Sequence, residues 1–384
     1  LFYYQLMDLF ARVPLVTNTE TAVERVQPRS RSEIFRFVVD ELQAALPHLS
    51  AAHSNLLGNH YGRLTRPVAQ FLLARLALNA EVYMDDDWTD SARPNGASIR
   101  FAVGEKSLNA WQTVVAYTDS LAASGYALEP SYAANFAVAN EHSQENIFTI
   151  PMDKTLYANS FKNLFRTLHY IHGGALARGA ENGSSATRTT LTAFGYATPA
   201  QDPRFALNFF ADTVKVDGRT LKQADGEALV YRPEAIRLQL TGSEYEKTAG
   251  ARMYKYEIDR TAYDDGKLQN NDIVLYRYAD ALLMRAEAQI RQGASGDSPL
   301  NAVRARVGLP ALSNATLEDV LKERLLELVW EGTRRQDLVR FHRFHLPYEE
   351  RPQLEKEANA YTTVFPIPAR SLQMNRLLKQ NPGY

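Results

Sequence analysis

The chain has 384 residues, 45% of them hydrophobic and 23% charged, which is ordinary for a globular protein with a large core. Its 43 basic and 44 acidic residues nearly cancel, so no basic field would attract nucleic acid and we expect no nucleic-acid partner. The absence of cysteine excludes disulfides and thiolate metal sites within these residues but identifies no compartment.

The N-terminal part of the sequence predicts paired helices. Its first ten residues, LFYYQLMDLF, are helical in character and include no signal peptide, so we expect a segment to precede them. Ser30 and Glu33 form a capping box at the start of one helix, and Pro67 lies in the first turn of the next. These starts are about 34 residues apart, the period of tetratricopeptide repeats, in which stacked helical hairpins bury one another's apolar faces.

A third helix follows and ends at Gly125. Its apolar positions Leu108, Trp111, Val115 and Ala122 are predicted to face the core. Beyond Gly125 the helical periodicity is lost, and the chain changes character.

The middle of the chain predicts short strands and long loops. The stretch Glu145–Pro151 alternates like a strand, and Val214–Gly218 predicts a turn between two short strands. The region Tyr157–Tyr276 is rich in glycine, threonine, asparagine and aromatic residues. Loops of such length are usually functional or disordered, and the aromatic content argues against disorder.

The C-terminal third returns to helices. A helix is predicted at Arg277–Ala288, followed by an arginine-rich turn and a charged amphipathic helix, Leu321–Leu338. Thr316 is the predicted N-cap of the latter, whose buried row is formed by leucines at 317, 321, 325 and 328. The acidic and basic residues around that row could indicate acid–base chemistry, but we interpret them as ion pairs, either on the helix surface or buried between helices.

This order of motifs, with the chain ending PIP…NPGY, resembles the SusD/RagB family of surface nutrient-binding lipoproteins. Further segments correspond in the same order: FARVPLVT (Phe10–Thr17), YGRLTRPVAQFLLARLALNAEVY (Tyr61–Tyr83), SGYAL (Ser124–Leu128) and the strand at Glu145–Ile150. The resemblance implies a mainly α fold, with a tetratricopeptide-like scaffold of helical hairpins and an irregular, loop-rich lobe that contains short β-strands. We expect one domain over residues 1–384: a helical repeat block (1–125), an irregular aromatic-rich insert (126–276), and a C-terminal helical block with tail (277–384).

The resemblance also implies a function. Such a protein would bind an oligosaccharide or polysaccharide at the cell surface and act as a lid on a SusC-like TonB-dependent β-barrel transporter. It would be held at the outer membrane by a lipid anchor in the preceding segment, with no cofactor and no catalysis. We expect the helical block, chiefly Ser30–Ser124 and Leu317–Leu338, to face the barrel. Two alternatives stay open: a tetratricopeptide adaptor that binds proteins, and a glycoside hydrolase.

Glycan recognition suggests candidate ligand residues, because sugar rings stack on aromatic side chains and sugar hydroxyls bind polar ones. Trp88 follows acidic residues in a predicted loop and is the first candidate for an exposed platform. The next candidates lie in the glycine-rich insert: Tyr157, His169, Tyr170 and Arg178. Two tryptophans are instead expected in the core: Trp111 and Trp330.

No metal site is predicted. Two histidine pairs, His169/His172 and His342/His345, have helical spacing but lack a nearby third ligand. The acidic run Asp85–Asp87 lacks the alternating oxygen ligands of a calcium loop and is interpreted as a solvated turn.

Overall fold

The computed structural model describes residues 1–18, 20–90, 92–156, 166–176, 179–261, 269–348, 350–351, 355–357 and 359–384. The described α-helices are α1 (Phe2–Phe10), α2 (Arg31–Ala45), α3 (Arg66–Leu78), α4 (Ala80–Tyr83), α5 (Ala110–Ala123), α6 (Tyr170–Ala175), α7 (Arg188–Ala193), α8 (Phe205–Asn208), α9 (Tyr278–Arg291), α10 (Asp297–Arg306), α11 (Leu317–Leu328), α12 (Arg334–Arg340) and α13 (Ala369–Met374).

The described strands are short: β1 (Val13–Pro14), β2 (Pro28–Arg29), β3 (Arg100–Val103), β4 (Lys106–Asn109), β5 (Asn146–Ile150), β6 (Phe209–Phe210), β7 (Asp212–Thr213), β8 (Lys215–Val216), β9 (Arg219–Thr220), β10 (Val230–Tyr231), β11 (Arg252–Met253) and β12 (Ile273–Arg277). They form antiparallel pairs: β1–β2, β3–β4, β5–β12, β6–β11, β7–β10 and β8–β9. The predicted fold class, mainly α with short strands in an irregular part, is confirmed.

The N-terminal helices begin where the sequence predicts. The Ser30 hydroxyl accepts from the Glu33 N–H at 3.2 Å, and the Glu33 carboxylate accepts from the Ser30 N–H at 2.9 Å, so the capping box of α2 is confirmed. Pro67 lies in the first turn of α3. Almost all of α3 is buried, because it packs against α2, α5 and α9.

The buried face of helix α5 matches the prediction only in part: Trp111 is buried as expected. Val115 is only half-buried and Ala122 is exposed, while Leu108 precedes the helix in β4. The buried face runs instead through Val114 and Leu121, because these positions point at α3 and α9, the neighbours on which α5 packs. Val115 nevertheless packs against the core, so the predicted inward position is wrong for Ala122.

The first and last helical blocks share one hydrophobic core. A single cluster of buried side chains extends from Tyr4 in α1 through Phe71 in α3 to Tyr276 and Met284 near and within α9. Helix α9 packs against α3 and α5 on one side and against α10 and α11 on the other. The core therefore includes residues on both sides of the predicted boundaries at residues 125 and 277. The division of the chain into blocks stays a prediction.

The irregular lobe begins and ends at one pair of strands. β5, the strand predicted at Glu145–Pro151, pairs with β12 so that Ile150 lies opposite Ile273 and Asn146 lies opposite Arg277. The chain between Ile150 and Ile273 therefore leaves the scaffold and returns to it at the same place. Small apolar clusters hold this excursion together, and two of them pack against the partly buried Trp330 at the end of α11.

Buried ion pairs join the irregular lobe to the C-terminal helices. The fully buried Glu327 carboxylate in α11 accepts from Arg277 at 2.5 Å, from Arg204 in the lobe at 2.9 Å, and from Arg306 in α10. A second buried network joins α3, α9, α11 and α12: Arg75, Asp280, Glu287, Arg324, Asp337 and Arg340. The interpretation of these charges as ion pairs that hold helices together is confirmed.

The C-terminal tail packs on the scaffold. The Asn381 side-chain amide donates to the carbonyl oxygens of Phe10 at 3.0 Å and Phe365 at 2.9 Å, and the Tyr384 hydroxyl donates to the Val364 carbonyl at 2.7 Å. The tail thus closes against the end of α1. Among the described residues, every helix is too short or too polar to cross a membrane.

Candidate functional site

Trp88, the first predicted ligand residue, is not an exposed platform. Its side chain is 4% exposed and packs between Ala11 at the end of α1 and Val364 in the tail. The Arg12 guanidinium lies 5.3 Å from its ring centroid. The prediction of exposure is wrong because two segments that are distant in sequence fold over the loop, which the local run of acidic residues does not reveal. Trp111 is buried, as predicted.

Two of the predicted residues of the insert, His169 and Tyr170, lie at the start of α6. His169 caps this helix, with Nδ1 accepting from the Ile171 N–H at 3.2 Å, and its side chain is buried. Tyr170 is 55% exposed. Tyr157 and Arg178 lie outside the described residues. Ligand binding by these side chains stays a prediction. Helix α6 itself borders a cavity, because His172 lines it.

The cavity has a volume of about 540 Å³, within the range of about 300–1,000 Å³ typical of ligand sites. It lies between α6, the end of β6, strand β8 with its turn, and residues 254–261. His172 of α6 reaches its wall, three positions beyond the predicted ligand residue His169. The predicted segment and the cavity are therefore parts of one region of the irregular lobe.

Two aromatic rings form the apolar wall of the cavity. The ring centroids of Phe210 and Tyr254 are 4.3 Å apart with an angle of 38° between the planes, and both side chains are half-buried. The His172 ring meets Phe210 edge-on at 4.7 Å. Such a wall suits the apolar C–H face of a sugar ring.

The aromatic wall is supported from behind by an uncharged hydrogen-bonded pair. The buried Tyr231 hydroxyl lies 3.0 Å from His172 Nδ1 and accepts from the His169 N–H at 2.9 Å. Burial lowers the pKa of His172 to about 4 and raises that of Tyr231 to about 12. Both groups are therefore neutral at neutral pH, and the charge nearest to them is the buried Arg252 guanidinium, which pairs across the strands with Phe210 and lies 5.1 Å from the Tyr231 ring centroid.

The rim of the cavity carries charges of both signs. Asp217, in the turn after β8, accepts two hydrogen bonds from Arg260 on the opposite wall, at 3.0 and 2.9 Å. The hydrogen bonds from Arg260 lower the pKa of Asp217 below its usual value. Exposed Lys215 and Glu257 also line the cavity. Carboxylate acceptors and guanidinium donors therefore stand next to the aromatic wall.

Sequence reasoning missed Phe210, Tyr254 and Arg260. None of them belongs to a recognisable motif, and each reaches the cavity through pairings with residues distant in the chain. A partial signal existed for Asp217, because the predicted turn at Val214–Gly218 contains it.

The acidic run and the histidine pairs show no metal geometry. Exposed Asp86 accepts from the Ser32 N–H at 2.9 Å at the start of α2, and exposed Asp87 accepts from the Thr89 hydroxyl at 2.6 Å. Asp85 is buried, which the interpretation as a solvated turn did not foresee. Within the described part of the chain, no group of three or more His, Cys, Asp or Glu side chains is arranged to hold a metal ion.

The sequence profile of the SusD family matches residues 83–384. The chain belongs to the SusD family. It is 22% identical over 420 residues to the starch-binding protein SusD of Bacteroides thetaiotaomicron, an alignment that covers 100% of this chain and 71% of that protein.

Solved structures of other SusD-like proteins share the fold. One from Bacteroides fragilis superposes with a TM-score of 0.70 at 20% identity, covering 100% of this chain and 77% of that one. Surface glycan-binding protein A from Bacteroides thetaiotaomicron, solved in complex with laminarihexaose, superposes with a TM-score of 0.68 at 18% identity, covering 100% and 76%. At these identities the likeness shows that this SusD-family chain has the same fold.

Proposed function

We propose that this chain binds an oligosaccharide or polysaccharide at the cell surface and does not turn it over. Membership in the SusD family supports the proposal, as do the names of relatives: one is a starch-binding protein, and another was solved with laminarihexaose. The observation that carries the proposal for this chain is the cavity in which the Phe210 and Tyr254 rings lie beside paired polar side chains. That combination matches a ligand with apolar ring faces and many hydroxyls.

Two carboxylates of the cavity, Asp217 and Asp259, favour binding over hydrolysis. A glycosidase needs a protonated carboxylic acid, whose pKa is raised, beside a second carboxylate. The pKa of Asp217 is lowered by Arg260. Burial would raise the pKa of Asp259, but hydrogen bonds from Thr261 and Asn270 outweigh it, so this pKa is lowered too. Both groups are ionised at neutral pH, and the exposed Asp217 carboxylate is suited to accepting hydrogen bonds from sugar hydroxyls, whereas Asp259 is buried and already accepts from Thr261 and Asn270.

The partner in this proposal is a TonB-dependent β-barrel transporter of the outer membrane. A surface binding protein, attached there through a lipid anchor, is useful only if its ligand reaches a second protein with a lumen. The helical block, chiefly Ser30–Ser124 and Leu317–Leu338, would face the barrel, and the irregular lobe would face the ligand between them. Because a lid must open, part of this contact should be wet and reversible.

Binding without turnover is tested with the purified protein on a glycan array, followed by calorimetry on each hit. We expect affinities between about micromolar and about millimolar, because each contact also desolvates sugar hydroxyls. Release of reducing sugar at enzyme-like rates from any bound glycan would contradict the proposal.

The partner is tested by affinity purification from detergent-solubilised outer membranes of cells that express a TonB-dependent transporter encoded beside this protein. A barrel protein should be recovered in about equal amount. Recovery of this protein alone would favour a free-standing binding protein.

A further inference from the structure

A two-residue hairpin turn lies at the rim of the cavity and contributes Asp217 to its lining. Strands β8 and β9 pair so that Val216 lies opposite Arg219, which leaves Asp217 and Gly218 as the turn. Both turn residues have positive φ, 51° and 77°, as the tight Asp-Gly hairpin turn requires. This geometry places Asp217 at the rim and fixes the direction of its Cα–Cβ bond.

The ion pair between Asp217 and Arg260 is not needed for the fold. The Arg260 and Asp217 side chains are 54% and 67% exposed, whereas the pairs around Glu327 are buried. An exposed pair of this kind stabilises a protein by only about 0–1 kcal/mol. The two terminal nitrogens of the Arg260 guanidinium nevertheless donate to the two Asp217 carboxylate oxygens, so the two planar groups lie side by side. This contact uses two of the five N–H donors of the guanidinium.

That arrangement matches two neighbouring hydroxyls of a sugar ring. Each hydroxyl can donate one hydrogen bond and accept another, so one can donate to Asp217 while the next accepts from Arg260. The two side chains line the same cavity as Tyr254, whose ring is held against Phe210. A pyranose ring could therefore stack on the aromatic wall while its hydroxyls reach the ion pair.

The charges of the residues that line the cavity balance one another once Lys154, the partner of Asp259, is included; Arg252 lies behind the wall, over the Tyr231 ring, and is not a lining residue. Arg260 pairs with Asp217, and the buried Asp259 carboxylate pairs with Lys154 at 3.4 Å. Lys215 and Glu257 contribute one charge of each sign at the rim. A sulfated or uronic-acid glycan would lose hydration on entering without gaining a net attraction.

We propose that this cavity binds an uncharged glycan, with a pyranose ring stacked on Tyr254 and two adjacent hydroxyls held by Asp217 and Arg260. The inference rests on the proposed glycan-binding function and names the ligand class and the residues that select it.

The test measures binding of the full chain to soluble neutral polysaccharides (starch, laminarin, galactomannan) and acidic ones (polygalacturonate, alginate, carrageenan), at low and high salt. The wild type should bind at least one neutral polysaccharide, bind no acidic one more tightly, and show little dependence on salt. For that ligand, Asp217→Asn and Arg260→Gln should each weaken binding by about tenfold, since each removes a charge-assisted hydrogen bond. Arg260→Lys should also lose affinity, because it keeps the charge but loses the planar fork.

Tyr254 provides a matched pair of variants. Tyr254→Phe keeps the stacking ring and should bind nearly as the wild type does, whereas Tyr254→Leu keeps apolar volume but loses the ring and should bind weakly. The control is Glu318→Gln, which breaks the exposed pair with Arg343 on the helical scaffold, where the side chains are 61% and 46% exposed. This control should leave binding unchanged, and circular dichroism should show that every variant is folded.

The outcomes separate the inference from the proposed function. A wild type that binds glycans but is indifferent to Asp217→Asn and Arg260→Gln would overturn the inference and leave the function standing. Tighter binding of acidic glycans, weakened by salt, would also overturn it. A folded wild type that binds no glycan in the panel would overturn the proposed function and this inference together.

Discussion

The buried Glu327 carboxylate is the junction between the irregular lobe and the helical scaffold. It is fully buried and accepts hydrogen bonds from arginines of three different segments: Arg204 in the lobe, Arg277 at the end of β12, and Arg306 in α10. Their attraction lowers its pKa far below the usual value, although burial alone would raise it. We therefore predict that Glu327→Gln, which keeps the size of the side chain and removes its charge, is strongly destabilising.

The magnitude follows from the remaining partners. Arg277 would keep Glu145 and Glu331, while Arg204 would keep Asp202 and Arg306 would keep Glu145. No guanidinium therefore loses every partner. Breaking a buried ion pair costs about 3–5 kcal/mol. With an unfolding entropy of about 2.1 cal/mol/K per residue, that loss lowers the melting temperature of a 384-residue chain by about 4–6 °C.

The assay is differential scanning calorimetry at neutral pH, with urea unfolding for the free energy. Glu318→Gln is the matched control, because its pair with Arg343 is exposed and should contribute less than about 1 kcal/mol. A double-mutant cycle with Arg204→Met should give a coupling energy above about 1 kcal/mol. If Glu327→Gln melted within experimental error of the wild type, the carboxylate would not hold the lobe to the scaffold.

Three further predictions concern the tail, acid and a helix cap. Deleting Asn381–Tyr384 should lower the melting temperature but leave sugar specificity unchanged, because the tail packs on α1, away from the residues that line the cavity; equal melting temperatures would show that it is a loose end. Burial favours the neutral acids, but buried arginines outweigh it and lower the pKa of Asp280 and Glu287 to about 2, against 3.8 and 4.5 for the free groups. Their stabilisation is therefore complete above about pH 5 and lost as the pH falls toward about 2, and urea unfolding across that range should show a steep loss of free energy rather than a flat profile. Ser30→Ala should cost about 1 kcal/mol by removing the cap of α2, while Ser30→Asp should restore most of it; two variants of equal stability would argue against the capping box.

Local sequence determined where several helices of this protein begin, but the single helix predicted at Leu321–Leu338 is wrong, because the chain forms two helices there, α11 (Leu317–Leu328) and α12 (Arg334–Arg340). The capping boxes at Ser30 and Thr316 and the proline in the first turn of α3 act through atoms only a few residues apart, so their effects can be read without knowing the fold. The apolar rows indicated which helices were amphipathic. They placed Ala122 of α5 incorrectly in the core, because the positions of α3 and α9 decide which side of the helix is covered.

Tertiary structure alone decided the candidate site. Trp88 looked exposed because its neighbours in sequence are acidic, yet it is covered by residues from the end of α1 and from the tail. Phe210 and Tyr254 have no motif, and they meet because β6 pairs with β11, which brings together segments that are far apart in the chain. Composition and local periodicity report what each segment prefers by itself, whereas a cavity is made by contacts between segments, and those become visible only when the chain has folded.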